Sequence, residues 1–89
     1  MIERRKPSGE ELLTVSTTAD TLTPPAGYQG ARMWVDSNGV RIRFGATPTA
    51  LIGLALVSQE ISLTRDEIDV LEIIRSGGVD SEVYVSYWE

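Results

Sequence analysis

Residues 31–44 read ARMWVDSNGVRIRF, and this stretch indicates the fold class most directly. Apolar residues alternate with polar or bulky ones on both sides of the dipeptide Asn38-Gly39, and a period of two is typical of strands with one buried face. Both residues of an Asn-Gly pair tolerate positive φ, which favours a tight turn between antiparallel strands. We therefore predict a β-hairpin with arms at residues 31–36 and 40–45.

The same alternation predicts which side chains the hairpin exposes. Arg41 and Arg43 lie between apolar residues of the second arm, so they point to the outer face, where Arg32 and Trp34 of the first arm would join them. Arginine and tryptophan are enriched at protein interfaces, and we identify this face as a candidate partner-binding site. Two other interpretations stay open: stacking of arginine on tryptophan that serves only the surface of the sheet, and carbohydrate binding by the tryptophan.

The rest of the chain also reads as short strands separated by turns. Period-two alternation predicts strands at residues 12–18, 58–64 and 83–88. In the first of these, Leu13 and Val15 share the apolar side. Residues 21–30, TLTPPAGYQG, predict a loop because two prolines and two glycines interrupt any ladder or helix. Residues 51–57 are apolar without clear periodicity and fit either a buried strand or a covered loop.

Residues 64–74 carry competing signals. Thr64 followed by Glu67 is the capping-box pattern that begins a helix. The apolar residues of 68–74 are mainly β-branched and end at Ser76-Gly77-Gly78, so a short helix and a strand after one helical turn both fit, and we favour the strand. Together the segments predict a mostly β protein, a small β-sandwich or barrel of about six to seven short strands.

The length of 89 residues fits a single domain. Residues 1–11 contain Arg4, Arg5 and Lys6 but little that a core would bury, and we predict an extended, flexible N-terminal arm, with the β domain at residues 12–89. The arm is either a disordered end or a segment that orders on a neighbouring subunit, so its three basic residues join the candidate partner-binding set.

Composition argues against several classes of function. The chain has neither cysteine nor histidine, which removes disulfides, the usual zinc ligands and the usual general base. Thirteen acidic residues against eight basic ones give a net charge of -5, unlike the basic surface of a nucleic-acid-binding protein. The longest apolar stretch, residues 50–57, is far below the roughly 20 residues that cross a bilayer. We predict a non-enzymatic protein without a cofactor that binds neither nucleic acid nor membrane.

The acidic residues supply no convincing catalytic or metal site. Four of them fall within one short segment: Asp66, Glu67, Asp69 and Glu72. A calcium loop needs alternating ligands, a glycine at its sharp turn and a distal bidentate carboxylate, and this segment lacks the glycine. We predict a solvated or partner-contacting face there, with no metal site and no catalytic residues.

Several short motifs from residue 31 to residue 87 resemble those of a known group of proteins. They are Val40-Arg41-Ile42-Arg43-Phe44, Thr47-Pro48-Thr49, Gly53, Leu56, Ile74-Arg75-Ser76-Gly77-Gly78 and Val83-Tyr84-Val85-Ser86-Tyr87. In this order they resemble small β-rich proteins of tailed-phage head modules. The acidic run of residues 66–72 and the basic arm depart from that pattern.

The resemblance implies a virion structural protein, a capsid decoration or cement protein that bridges and stabilises neighbouring capsid subunits. It would be made in the host cytoplasm, act on the capsid surface as a trimer and bind the major capsid protein or another virion protein. The alternative is a ligand-binding β module of a phage tail or baseplate that recognises carbohydrate or the host.

Overall fold

The computed structural model describes residues 7–49 and 52–89. Within them the chain forms seven strands and one short helix. In chain order these are β1 (Pro7–Val15), β2 (Gly30–Val35), β3 (Val40–Phe44), β4 (Leu54–Leu56), β5 (Gln59–Thr64), α1 (Arg65–Asp69), β6 (Leu71–Arg75) and β7 (Ser81–Trp88). The prediction of a mostly β protein is confirmed, since 52% of the described residues are in strands and 6% are in the helix.

The strands form two antiparallel sheets that share one core. The four-stranded sheet has the order β1-β7-β2-β5, and the three-stranded sheet has the order β4-β3-β6. Apolar side chains from both sheets belong to a single buried cluster, which includes Met33 and Val85 from the first sheet and Ile42 and Ile73 from the second. The molecule is therefore a small β-sandwich, one of the two architectures that the sequence predicts.

The last strand, β7, is an inner strand of the four-stranded sheet, and its side chains alternate between the core and the outer face. Val83, Val85 and Tyr87 are almost fully buried, whereas Tyr84 lies on the outer face. Strand β7 pairs with β1 along one edge and with β2 along the other. Each fully buried aliphatic side chain stabilises a fold by about 1.5–3 kcal/mol, so this strand contributes strongly to the core.

The predicted hairpin between residues 31–36 and 40–45 is wrong. Strand β2 pairs with β5 and β7, and β3 pairs with β4 and β6, so residues 36–39 carry the chain from one sheet to the other. A hairpin turn of type I′ needs positive φ at both central residues. Only Gly39 has it here, with φ of 80°, so the Asn-Gly pair marks a turn without making its two flanks pair.

The described sheet begins within the segment predicted as the arm. Strand β1 begins at Pro7, opposite Trp88, and continues without a break in pairing beyond Gly9 to Val15. Residues 7–11 thus belong to the sheet, because β7 is long enough to offer them a partner. The basic residues Arg4, Arg5 and Lys6 lie outside the described residues.

The capping-box interpretation of residues 64–74 is confirmed. The Thr64 hydroxyl accepts a hydrogen bond from the Glu67 amide at 3.3 Å, and the Glu67 carboxylate accepts one from the Thr64 amide at 2.8 Å. One helical turn follows as α1, and the favoured strand follows as β6.

The apolar segment 51–57 differs from both of its predicted forms. Its described part contains the three-residue strand β4, in which Leu56 is buried. Leu54 and Val57 are 59% and 54% exposed, so the segment is a short edge strand rather than a buried strand or a covered loop. Leu51 lies outside the described residues.

Candidate partner-binding surface

Three large side chains lie side by side on the outer face of the four-stranded sheet. The register places Leu12 of β1 opposite Tyr84 of β7, and Tyr84 opposite Trp34 of β2. The Trp34 and Tyr84 rings lie 5.2 Å apart between centroids, with their planes inclined by 45°. Leu12 is 66% exposed and Tyr84 is 37% exposed, so this aromatic row, as we call the three residues, is open to solvent.

A depression lies beside the aromatic row, on the side of Asp36 and Glu82. Its volume is about 240 Å³, and its lining consists of Leu12, Trp34, Val35, Asp36, Glu82 and Tyr84. The row supplies an apolar wall, and two carboxylates supply a polar one. Specific binding sites commonly combine an apolar surface with a few fixed polar groups. This depression has that composition.

Polar contacts fix Tyr84, the middle residue of the aromatic row, and the side chains beside Trp34. The Tyr84 hydroxyl donates a hydrogen bond to the Glu10 carboxylate, and this bond raises the pKa of Tyr84, so the phenol stays neutral at physiological pH. Arg32 forms an ion pair with Glu60 at 3.3 Å beside Trp34. Tyr84 is therefore held in place, and a side chain fixed in advance loses less entropy in any binding event.

The charge of this outer face is negative. Glu10 of β1, Glu82 of β7 and Glu60 of β5 share it with Arg32, which is its one cation among the described side chains. Because Arg32 is already paired with Glu60, the carboxylates exceed the positive charge available on the surface. The face offers an apolar centre inside an acidic surround.

Asp36 forms the end of the depression and is fully hydrogen-bonded. Its carboxylate accepts hydrogen bonds from the Ser81 hydroxyl at 2.5 Å, the Glu82 amide at 2.9 Å and the Asn38 amide at 3.0 Å. The hydrogen bond from Ser81 is the main cause that lowers the pKa of Asp36, so its carboxylate stays charged. It joins the turn at residues 36–39 to the start of β7.

The predicted site of Arg32, Trp34, Arg41 and Arg43 does not form a single face. Arg32 and Trp34 lie outward on the four-stranded sheet, as expected. Arg41 and Arg43 lie on the outer face of the three-stranded sheet, on the other side of the sandwich, because β2 and β3 belong to different sheets.

Both arginines of β3 bind the loop that follows their own strand. Arg41 donates a hydrogen bond to the Gly53 carbonyl at 3.1 Å, and Arg43 donates one to the Thr47 carbonyl at 3.3 Å. The Thr47 hydroxyl donates in turn to Glu72 of β6 at 2.9 Å. These contacts hold Thr47 and Gly53 against the three-stranded sheet, which gives Arg41 and Arg43 a structural role.

The sequence analysis missed Leu12, Tyr84 and Glu82 as site residues. Alternation alone places Leu12 and Tyr84 on the outer side of their strands, and this signal was available. Their grouping with Trp34 depends on the strand order β1-β7-β2, which pairs Tyr84 with Leu12 and with Trp34 across more than 40 positions and has no local signature.

A second group of polar contacts lies at the opposite end of β2 from Asp36. Tyr28 is buried, packs edge-to-face on Tyr87 at 5.8 Å and donates a hydrogen bond to Asp69 at 2.5 Å. Burial, followed by this hydrogen bond, raises the pKa of Tyr28 to about 12. Burial also raises the pKa of Tyr87, whose hydroxyl donates to Glu11. Both phenols are neutral at physiological pH and act as structural donors.

The acidic run of residues 66–72 does not converge on one point. Glu67 caps α1, Asp69 accepts from Tyr28 and Glu72 accepts from Thr47. Among the described residues, no group of three or more potential ligands is arranged to hold a metal ion. No helix in the described ranges is long and apolar enough to cross a membrane.

Comparison of the chain with protein-family models, with curated proteins and with solved structures finds no match.

Proposed function

We propose that this chain is a non-enzymatic virion structural protein that decorates a capsid and bridges neighbouring capsid subunits. The observation that carries the proposal is the aromatic row on the outer face of the four-stranded sheet. The motif resemblance to small β-rich proteins of tailed-phage heads supports the choice of partner, which would be the major capsid protein or another virion protein.

The aromatic row has the properties of an interface centre. Tryptophan and tyrosine supply much of the binding energy at protein interfaces because each buries a large area with few rotatable bonds. Here the rings of Trp34 and Tyr84 stand on paired strands, and the Tyr84 hydroxyl is fixed by Glu10. A rigid sheet face can dock on a folded partner without ordering a loop first.

The mechanism of stabilisation is mass action. If the surface that receives the aromatic row exists only where capsid subunits meet, binding lowers the free energy of the assembled shell relative to free subunits. The reaction needs no catalytic group, and its driving force is the burial of apolar area.

A different surface suits contacts between copies of the chain. Residues 44–59 contain no charged side chain, although the whole chain carries a net charge of -5. Around β4 they expose Ile52, Leu54 and Val57, each more than half accessible. Contact between like-charged copies is least opposed at a neutral, apolar surface. We place the interface of the proposed trimer at this edge of the three-stranded sheet.

A carbohydrate-binding or host-recognition module of a tail or baseplate is the second candidate. The Trp34 and Tyr84 rings stand beside the carboxylates of Glu10 and Glu82, and an aromatic face next to hydrogen-bond acceptors is chemically suited to a sugar ring. Binding to a defined glycan without binding to capsids would select this alternative.

The proposal is tested by titrating the protein onto bare capsid shells of the encoding virus and measuring cosedimentation. We expect saturable binding that Trp34→Ala weakens at least about thirty-fold, as for a buried interface anchor. Val70→Ala is the matched control, because it removes an exposed apolar side chain next to α1 and should leave the affinity unchanged. Equal weakening by both variants, or no binding to shells, contradicts the proposal.

The oligomer is tested separately by light scattering. A trimer has three times the chain mass of 9.8 kDa. Leu54→Glu introduces a charge at the β4 edge and should yield monomers that remain folded. A wild-type protein that stays monomeric at high concentration would exclude this interface.

A further inference from the structure

We infer that the depression beside the aromatic row receives an arginine side chain of the protein partner. The inference rests on the proposed function, because it names the chemistry of the partner that docks on the same surface. The occupant is a cationic group on a docking protein rather than an uncharged apolar group or a sugar.

The first argument is the shape and composition of the depression. Trp34 and Tyr84 contribute aromatic surface, and Leu12 contributes an aliphatic wall. An arginine side chain matches such a surface along its whole length, since its methylene groups pack on apolar walls and its flat guanidinium stacks on aromatic rings.

The second argument is the charge at the mouth of the depression. Glu82 lines it, and the side chain of Glu82 makes no hydrogen bond or ion pair with the described residues. The Asp36 carboxylate adds a fixed negative charge, but its oxygens already accept hydrogen bonds from the turn and from β7. Glu82 is therefore the group free to pair with an incoming cation.

The third argument is the absence of a competing cation on the surface itself. Arg32 is the positive group among the described side chains of this face, and Glu60 neutralises it at 3.3 Å. An anionic or uncharged partner would leave Glu10 and Glu82 without compensation near the interface, which complementary interfaces avoid. A guanidinium satisfies Glu82 and contacts the aromatic rings in one group.

The experiment titrates the folded protein with the blocked tripeptide Ac-Gly-Arg-Gly-NH₂ and follows backbone and indole N–H signals by NMR. The same tripeptide with citrulline in place of arginine is the control ligand, since citrulline keeps the shape and removes the charge. We expect the arginine peptide to shift the Trp34 indole signal and the amides of Glu82 and Tyr84. The citrulline peptide should bind at least about three-fold more weakly.

Two charge variants locate the interaction. Glu82→Gln should weaken the arginine peptide about two- to five-fold, the effect of removing one solvent-accessible ion pair. Asp66→Asn removes the same charge from α1, which adjoins the other end of β2, and should leave the affinity unchanged. Equal binding of both peptides, or equal effects of the two variants, overturns the inference.

The outcomes also separate the inference from the proposed function. If Trp34→Ala prevents capsid binding while Glu82→Gln and the citrulline peptide change nothing, the inference fails and the proposed function stands. If the arginine peptide binds as expected but the protein does not bind capsid shells, the depression is a cation site and the proposed function fails. A variant without residues 1–6 tests the source of the cation: unchanged peptide affinity supports a partner's arginine, and a ten-fold rise assigns the depression to the chain's own arm.

Discussion

Asp36→Ala removes the carboxylate that joins the turn between the two sheets to the start of β7. In the native protein this carboxylate accepts hydrogen bonds from the Ser81 hydroxyl and from three backbone amides, those of Asn38, Gly39 and Glu82. The variant leaves all four donors without their acceptor.

The loss of stability in Asp36→Ala depends on whether each of the four donors can reach water. Ser81 is fully buried, so its hydroxyl cannot turn to water, and an unsatisfied buried group of this kind costs about 1–3 kcal/mol. The amides near the surface can bind water instead, and each lost bond should cost about 0.5–1.5 kcal/mol at most. Because these terms are not additive, we expect Asp36→Ala to lower the free energy of unfolding by about 2–4 kcal/mol.

Urea unfolding monitored by tryptophan fluorescence measures this loss. Asp80→Ala is the control, because Asp80 is an exposed carboxylate paired with Arg75 at 2.6 Å, and a surface pair contributes under about 1 kcal/mol. Adding Ser81→Ala to Asp36→Ala removes the stranded hydroxyl and should recover part of the loss. A change below about 0.5 kcal/mol for Asp36→Ala would refute the role assigned to this carboxylate.

The pH dependence of stability gives an independent check on Asp36. Its folded-state pKa lies below the ordinary value of 3.8, so the unfolded chain takes up a proton first as the pH falls. The stabilisation is complete above the unfolded-state pKa and is lost as the pH falls through the folded-state pKa. The stability of Asp36→Ala should therefore fall less steeply than that of the wild type below about pH 4.

Two further changes test other parts of the fold. Gly30→Ala places a Cβ 2.6 Å from the Trp88 ring and should lower the free energy of unfolding by about 1–3 kcal/mol in thermal unfolding. Gly77→Ala is the control, because its Cβ meets nothing within 4 Å and should change the free energy of unfolding by less than about 0.5 kcal/mol. Equal effects of the two variants would contradict the tight packing at Gly30. Tyr28 has a pKa raised from 10.0 to about 12, so its stabilisation is complete below pH 10 and is lost as the pH rises toward 12. Tyr28→Phe should reduce this alkaline loss in unfolding titrations, and an unchanged alkaline slope would exclude the assignment.

The strands and their buried faces could be predicted from the sequence because alternation is a local property. Val83, Val85 and Tyr87 show it without interruption, and the capping box at Thr64 is equally local. Strand pairing is not local. The Asn38-Gly39 pair indicates a turn, but it does not determine which strands its flanking residues pair with. On one side of the turn, Asp36 is hydrogen-bonded to the start of β7, more than 40 residues away.

The candidate site likewise has a part that local sequence predicts and a part that it does not. The outward position of Trp34 was predictable from its neighbours in β2. Its grouping with Leu12 and Tyr84, and its separation from Arg41 and Arg43, follow from which sheet each strand joins. No residue type near Trp34 in the sequence carries that information.

The place of β7 between β1 and β2 has a consequence for biosynthesis. A ribosome makes β1 and β2 long before β7, and in the four-stranded sheet neither has the other as a neighbour. While β7 is missing, β1 has no partner strand in that sheet, and pairing over such long sequence separations is slow. Tyr84 lies on this late strand, so nascent chains lack the centre of the aromatic row. Only chains in which β7 has inserted between β1 and β2 can present the complete aromatic row.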